Sequence, residues 1–125
     1  MEFILAADIK KQLKLIQSRL QLPHLSLTNI VCFRSRGSKA RARARIWAFP
    51  KIWQLALKLP PYYCIEVISE RFDCLKSDDQ TRILIHELMH IPKNFSGSLL
   101  PHHGRAKLQI NSRNVEKLFK MFKGL

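Results

Sequence analysis

The chain has 125 residues, which is the size of one compact domain. Hydrophobic residues make up 46% of it and charged residues 25%, a globular composition that excludes a disordered tail or linker. Its 22 Lys and Arg residues against nine Asp and Glu residues give a net charge of +13, which attracts polyanions. No apolar stretch is long enough to span a membrane, and the N-terminus lacks the layout of a signal peptide. We therefore expect a cytoplasmic protein with no membrane partner.

The distribution of charges and the cysteines narrow the class of protein further. Residues 9–65 contain twelve basic residues and no acidic one, whereas residues 66–90 contain six acidic residues against three basic ones. The three cysteines, Cys32, Cys64 and Cys74, are an odd number without a C-x-x-C pair. This pattern excludes a disulfide framework and a cysteine zinc site, and it predicts reduced thiols.

The first half of the chain predicts a helix followed by two strands. Apolar residues at helical spacing predict an amphipathic helix over residues 3–20, which Pro23 ends. Residues 26–33 are rich in β-branched and apolar residues, a pattern typical of a strand. Residues 40–49 alternate arginine with apolar residues, which also predicts a strand. The turn signal centred on Gly37 lies between these two strands and favours a β-hairpin.

The middle of the chain predicts the centre of the sheet. Residues 52–59 predict a short helix or a turn, because Pro60 and Pro61 interrupt the chain directly afterwards. Residues 62–69 are nearly continuous in apolar character, and a strand that is apolar on both faces is typical of a central position.

Two helices are predicted in the second half. Ser77 and Gln80 form a capping box that predicts a helix over residues 78–91, which Pro92 ends. This helix is apolar on most sides, so we expect it in the core. After an irregular stretch, Ser112 is predicted to cap an amphipathic C-terminal helix. The elements together predict one α+β domain over the whole chain, with a small, twisted, mostly antiparallel sheet of about three strands and helices at the N-terminus, in the core and at the C-terminus.

The predicted core helix carries an H-E-x-x-H motif at residues 86–90. His86 and His90 lie one helical turn apart on one face, so both imidazoles can bind one ion, and nitrogen ligands suit zinc. Zinc lowers the pKa of a bound water, and Glu87 is placed to take its proton and pass it to the leaving amine. The alternative is that both histidines lie at an exposed edge and that Glu87 is a solvated charge. Burial of these side chains in an apolar helix without a metal is costly, which favours the metal site.

A catalytic zinc site normally has a third protein ligand. The metzincin pattern would place it at a histidine six residues after the second ligand, where this chain has Ser96. The histidines that follow the motif are His102 and His103. We expect His102 to be the third ligand, with His103 as the alternative. Glu116, the only acidic residue after the motif, is a weaker candidate.

The motif and its surroundings resemble a known family. Residues 86–97, HELMHIPKNFSG, and the LLPH segment after them resemble the H-E-L-x-H-I-P-x-x-F-x-G…P-H block of the phage-type metallopeptidases, which are small zincin-like proteins. Residues 44–53, ARIWAFPKIW, and residues 65–73, IEVISERFD, are also similar to this family. The resemblance implies a minimal zincin fold, in which the active-site helix packs on a small twisted sheet with the metal beneath it. It further implies that the two motif histidines are ligands, that the motif glutamate is the base, and that His102 is the matching downstream histidine.

Two features predict how a peptide substrate is held. Arg105 follows the histidine pair and is a candidate to stabilise the oxyanion of a tetrahedral intermediate, and the alternative is a solvated surface arginine. Residues 40–49 are a candidate for the edge strand that, in zincins, pairs with an extended peptide substrate.

Arg41, Arg43 and Arg45 alternate along the second predicted strand. One interpretation is a surface that follows the phosphate backbone of a nucleic acid in a salt-dependent manner. The other is a solvated edge strand whose charge prevents aggregation. Net charge by itself predicts only non-specific attraction to nucleic acid.

The leading hypothesis is therefore a single-domain zinc metallopeptidase with one Zn²⁺ per chain and a peptide or protein substrate. The alternatives are a basic nucleic-acid-binding module whose zinc is structural or absent, and a DNA-associated protease of the SprT-like type. The substitution Glu87→Gln separates the two main classes, because it abolishes hydrolysis in a peptidase and leaves a binding module intact. Replacement of Arg41, Arg43 and Arg45 by Ser would destroy only the binding module.

Overall fold

A four-stranded mixed sheet organises the protein in the computed structural model, which describes residues 1–102 and 109–125. The strands are β1 (Glu2–Leu5), β2 (Ile30–Arg36), β3 (Ala44–Trp47) and β4 (Tyr63–Ile68), in the spatial order β1-β2-β4-β3. The helices in the described part of the chain are α1 (Ala7–Leu20), α2 (Lys51–Leu57), α3 (Ser69–Phe72), α4 (Ser77–Met89) and α5 (Ser112–Lys123). The fold is thus α+β, as predicted from the sequence.

The sheet differs from the predicted one in three respects. It has four strands rather than about three, because residues that were expected to begin the first helix pair with β2 as β1. It is mixed, since β2 and β4 are parallel while the two outer pairings are antiparallel. The predicted hairpin between β2 and β3 is wrong, because β4 lies between these strands. β4 is buried along nearly its whole length, so the most apolar strand takes the central position and both neighbours pair with it.

The hydrophobic core lies between one face of the sheet and three helices. α1 contributes Ile9, Leu13, Ile16 and Leu20, the apolar stripe that the sequence predicts. Helices α4 and α5 pack into the same core. The side chains that the sheet contributes are Ile30, Cys32, Ala44, Tyr63, Ile65 and Val67.

Helix α4 crosses the core with most of its apolar side chains buried. The predicted capping box is absent within the described residues, because Ser77 is the first helical residue and Lys76 occupies the cap position without a side-chain bond. Gln80 instead donates from Nε2 to the Phe72 carbonyl, which ties the first turn of α4 to α3. The helix ends at Met89 with His90 at the C-cap, two residues before the predicted end at residue 91 and ahead of Pro92, which cannot continue it.

The cap of α5 is also displaced from the predicted residue. Asn111 holds the cap position, and its Oδ1 accepts a hydrogen bond from the Asn114 amide at 2.9 Å. Ser112 is the first residue of the helix. Asparagine and serine cap helices comparably well, so the sequence offers two adjacent choices and the chain path selects the first.

Each helix in residues 1–102 and 109–125 is too short or too polar to span a bilayer. Cys32, Cys64 and Cys74 are free thiols, as expected.

Candidate metal centre

Three histidines meet at the C-terminal end of α4. His86 and His90 lie one turn apart on the helix, with ring centroids 5.3 Å from each other. His102 returns from the segment after α4 and brings its Nε2 atom to 3.0 Å from Nε2 of His86. One ligand atom from each ring lies within 4.8 Å of the others. The chain thus brings together the two motif histidines and the downstream histidine that we expect as the third ligand.

The geometry of this cluster fits a metal ion. Zinc binds imidazole nitrogen at about 2.0–2.1 Å, so two nitrogens of a tetrahedral site lie about 3.4 Å apart. The Nε2 atoms of His86 and His102, 3.0 Å apart, are close to that value, and the ligand atoms of all three rings lie within 4.8 Å of one another. Three neutral nitrogen ligands with a fourth direction left open are the donor set of catalytic zinc sites. The cluster of His86, His90 and His102 could therefore bind a metal ion.

A pair of hydrogen bonds orients His90. The Nδ1 atom of His90 lies 2.6 Å from the Leu100 carbonyl, and the Leu100 amide donates to the His90 carbonyl at 2.7 Å. Because a carbonyl oxygen only accepts hydrogen bonds, Nδ1 of His90 carries the proton. This leaves the lone pair of Nε2 free for a metal ion, and such partners commonly fix the tautomer of a ligand histidine.

Burial keeps the two motif histidines neutral and raises the proton affinity of the glutamate. Desolvation lowers the pKa of His86, and the neighbouring rings of His90 and His102 add to the effect. Desolvation also lowers the pKa of His90, since it outweighs the hydrogen bond to Leu100. Neutral imidazoles have the lone pairs that a metal requires. Burial raises the pKa of Glu87 to about 7.

Within the part of the chain that the structure describes, burial alone shifts the pKa of Glu87, with no hydrogen bond or charged group contributing. The side chain lies next to the cluster on α4 and is 9% exposed. A nearly buried carboxylate without a cation beside it is unusual in a stable core, where charged groups are normally paired. This residue is therefore the candidate general base of the site.

Two polar side chains hold the segment that brings His102 to the cluster. The Tyr63 hydroxyl donates to the Ser98 carbonyl at 2.8 Å and accepts from the Gly97 amide at 2.9 Å. Nε2 of Gln54 donates to the carbonyls of Phe49 and Ser96, each at 2.8 Å. Tyr63 is almost fully buried and Gln54 is the buried residue of α2.

Sequence reasoning missed the role of Gln54 and Tyr63 in holding this segment. The signal for Gln54 is that a single uncharged polar residue interrupts the apolar run of α2. Tyr63 carries no such signal, because an aromatic residue is ordinary in an apolar strand. In the structure its ring packs edge-on against Phe95 at a centroid distance of 4.9 Å.

Three further residues are candidates for the site from the sequence: His103, Arg105 and Glu116. His103 and Arg105 lie outside the described residues. Glu116, the rival third ligand, lies on α5, forms an ion pair with Arg82 of α4 at 2.9 Å and is not a member of the histidine cluster. This pairing leaves His102 as the described residue that joins the two motif histidines.

The three arginines do not form the predicted strand face. β3 begins at Ala44, so Arg41 and Arg43 precede it as exposed residues. Arg45 lies in β3 and pairs through Nε with the buried carboxylate of Glu66 at 2.7 Å. That interaction pairs one of the three guanidinium groups within the protein, and contact with nucleic acid stays a prediction.

Comparisons with known proteins place the chain in a family. The family described as "Putative phage metallopeptidase" matches residues 1–124. Neither the curated proteins nor the solved structures contain a match to the chain. Since the family match spans almost the whole sequence, including α4 and the segment that carries His102, the chain belongs to this putative phage metallopeptidase family.

Proposed function

We propose that the protein is a zinc-dependent metallopeptidase that hydrolyses peptide bonds, with one Zn²⁺ per chain. The observation that carries this proposal is the convergence of three histidine rings beside a nearly buried glutamate on one helix. Membership of a metallopeptidase family supports the same activity. A structural zinc site would close all four positions with protein ligands, whereas the described residues supply three.

Each residue of the site has a separate task in this proposal. His86, His90 and His102 would hold the ion, and the Leu100 carbonyl keeps the ring of His90 in the tautomer that can bind it. A bound zinc ion would supply Lewis-acid chemistry, which activates water and polarises a carbonyl group. The Glu87 carboxylate takes a proton from the attacking water and delivers it to the leaving amine nitrogen.

The edge of the sheet offers a place for the peptide. β3 is an outer strand, and the Ile68 amide of β4 donates to the Arg43 carbonyl. Backbone groups alternate in direction along an antiparallel strand, so the amide and carbonyl of Ala44 and of Ile46 face the open edge. An extended peptide can pair with these groups through its own backbone. This mode agrees with the candidate edge-strand role of residues 40–49 in the sequence.

Zinc content and hydrolysis test the proposal together. Elemental analysis of protein purified without added metal should give about one zinc per chain in the wild type. The His86→Ala variant should lose this zinc and the His102→Ala variant should hold it more weakly. Wild-type protein that takes up no zinc, even from zinc-supplemented buffer, would refute the metal centre.

The substitution Glu87→Gln tests the proposed general base while the three histidine ligands stay unchanged. We expect it to retain zinc and fold and to lose hydrolysis of an unfolded protein substrate by at least about a hundredfold. The matched control is Glu116→Gln, which removes the same charge and breaks the partly exposed ion pair between α5 and Arg82 of α4, and it should leave hydrolysis unchanged. Full peptidase activity in Glu87→Gln would contradict the proposed base.

A further inference from the structure

Helix α2 is oriented with its apolar side chains toward solvent. Its one buried residue is the polar Gln54, which is bonded to the carbonyls of Phe49 and Ser96. Surface helices normally show the opposite arrangement, with the apolar stripe facing the core. The exposed fractions of its large apolar residues are 74% for Ile52, 55% for Trp53, 67% for Leu55 and 54% for Leu57.

The exposed residues form one continuous surface, which we call the α2 surface. At 100° per residue, Ile52, Trp53, Leu55 and Leu57 fall within an arc of about 200° that lies opposite Gln54. Leu59, directly after the helix, is 44% exposed and adds to this patch. A cluster of large apolar side chains on one short element is more than the scattered exposed residues that a monomer tolerates, and it marks an interaction site.

The charges around the α2 surface indicate what covers it. Lys51 and Lys58 flank the apolar residues and are both exposed. Residues 9–65, the stretch of chain that contains α2, carry no acidic residue. A second copy of the chain is disfavoured as the partner, because each copy carries a net charge of +13. The surface calls for an apolar partner with negative charge at its rim.

We infer that the α2 surface docks the protein on an anionic lipid bilayer. Large aliphatic side chains and a tryptophan enter the region between headgroups and acyl chains, while the flanking lysines remain at the anionic headgroups. α2 meets these requirements with its four apolar residues, its two lysines and the tie through Gln54, which holds the helix with its apolar side outward. The inference revises the sequence-based expectation of no membrane partner, and it is independent of the metal centre.

Vesicle binding tests the inference on the full chain. We expect the wild type to cosediment with vesicles of phosphatidylcholine and phosphatidylglycerol in equal parts and much less with vesicles of phosphatidylcholine alone. The double variant Ile52→Ser/Leu55→Ser should bind the mixed vesicles at least about tenfold more weakly, because two large apolar side chains no longer enter the bilayer. Absence of wild-type binding to the mixed vesicles would overturn the inference.

A matched variant separates the α2 surface from general charge. Leu15→Ser/Met121→Ser removes two other exposed apolar side chains, which are 40% and 59% exposed on α1 and α5, and leaves the net charge unchanged. We expect this control to bind the mixed vesicles like the wild type. Equal binding by all three proteins would show attraction by charge alone and would overturn the inference.

Tryptophan fluorescence reports the same event without disrupting α2. In the Trp47→Phe variant Trp53 is the single tryptophan, and its emission should shift to shorter wavelength when mixed vesicles are added. No shift at a lipid concentration that binds the protein would place α2 outside the bilayer and contradict the inference. A dimer in light scattering that Ile52→Ser/Leu55→Ser dissociates, together with no vesicle binding, would assign the α2 surface to a second copy instead.

Discussion

At Gly97 the backbone adopts φ +94°, a conformation that side-chain-bearing residues rarely take. A Cβ atom at this position would lie 2.5 Å from the Phe49 carbonyl oxygen and would also collide with the Gln54 amide. The same residue donates its amide to Tyr63, so it belongs to the contacts that hold the segment leading to His102. Gly97 therefore lets this segment pack directly against Phe49 and Gln54, which a residue with a Cβ atom would prevent.

We therefore expect Gly97→Ala to lower the free energy of unfolding by at least about 2 kcal/mol and to weaken zinc binding. Urea unfolding and zinc titration measure the two effects. Gly124→Ala is the control, because Gly124 has a similar φ of +79° but nothing within 4 Å of the added Cβ. It should cost about 1 kcal/mol or less and leave zinc affinity unchanged. Equal losses of zinc affinity in both variants would exclude the proposed role of Gly97.

At the level of single elements, the start of α5 depends on Asn111 rather than on Ser112. Asn111 accepts the Asn114 amide, while Ser112 lies inside the first turn. Asn111→Ala should cost about 1 kcal/mol of unfolding free energy, and Ser112→Ala should cost less than half of that. Chemical denaturation of the two variants side by side gives the comparison. A larger loss of unfolding free energy in Ser112→Ala than in Asn111→Ala would show that Ser112 caps α5, as the sequence predicts.

Arg34 links two helical elements to the sheet. From β2 its guanidinium pairs with Asp8 in the first turn of α1 and with Asp73 directly after α3, at 3.0 and 2.9 Å. The hydrogen bond from Arg34 is the main reason why the pKa of Asp8 lies below its ordinary value. Burial of Asp73 acts to raise its pKa, but hydrogen bonds from Arg34 and Ser69 outweigh burial, so this pKa is lowered as well.

The lowered pKa values fix the sign of the pH dependence. A carboxylate with a depressed pKa contributes stability that is fully present above its unfolded-state pKa of about 3.9 and is lost as the pH falls through the folded-state value. We expect Arg34→Met to cost about 1 kcal/mol at pH 7, a modest value because Asp8 is 64% exposed and Asp73 39%. The cost should shrink toward pH 3. Urea unfolding at both pH values tests this, and a cost that is independent of pH would contradict it.

For the whole molecule, metal binding and stability are coupled. A ligand that binds only the folded chain stabilises it by about 2.7 kcal/mol when its free concentration is a hundred times Kd. Thermal unfolding should therefore occur at higher temperature with zinc and at lower temperature with a chelator. The His86→Ala variant should show little response to zinc, and magnesium, which prefers oxygen ligands, should have no effect on the wild type. An identical response of wild type and variant to zinc would place the metal elsewhere.

The candidate site was predictable to the extent that it is local in sequence. Helix α4 and the juxtaposition of His86 and His90 follow from the four-residue spacing within one helix. For the third ligand the sequence left His102, His103 and Glu116 as candidates, because a residue outside the helix reaches the cluster only through a return segment. That segment is held by Tyr63 and Gln54, whose partners lie 34 to 42 residues away in the chain.

Local sequence patterns that repeat within a few residues predict three features correctly: the buried stripe of α1, the central strand β4 and the motif helix α4. The pairing of β3 with β4, the capping of α5 by Asn111 and the outward apolar side of α2 become visible only in the folded protein. The difference lies in the range of the interactions. Helical and strand periodicities are set by neighbours along the chain, whereas strand order and helix orientation depend on burial and hydrogen bonds between distant segments.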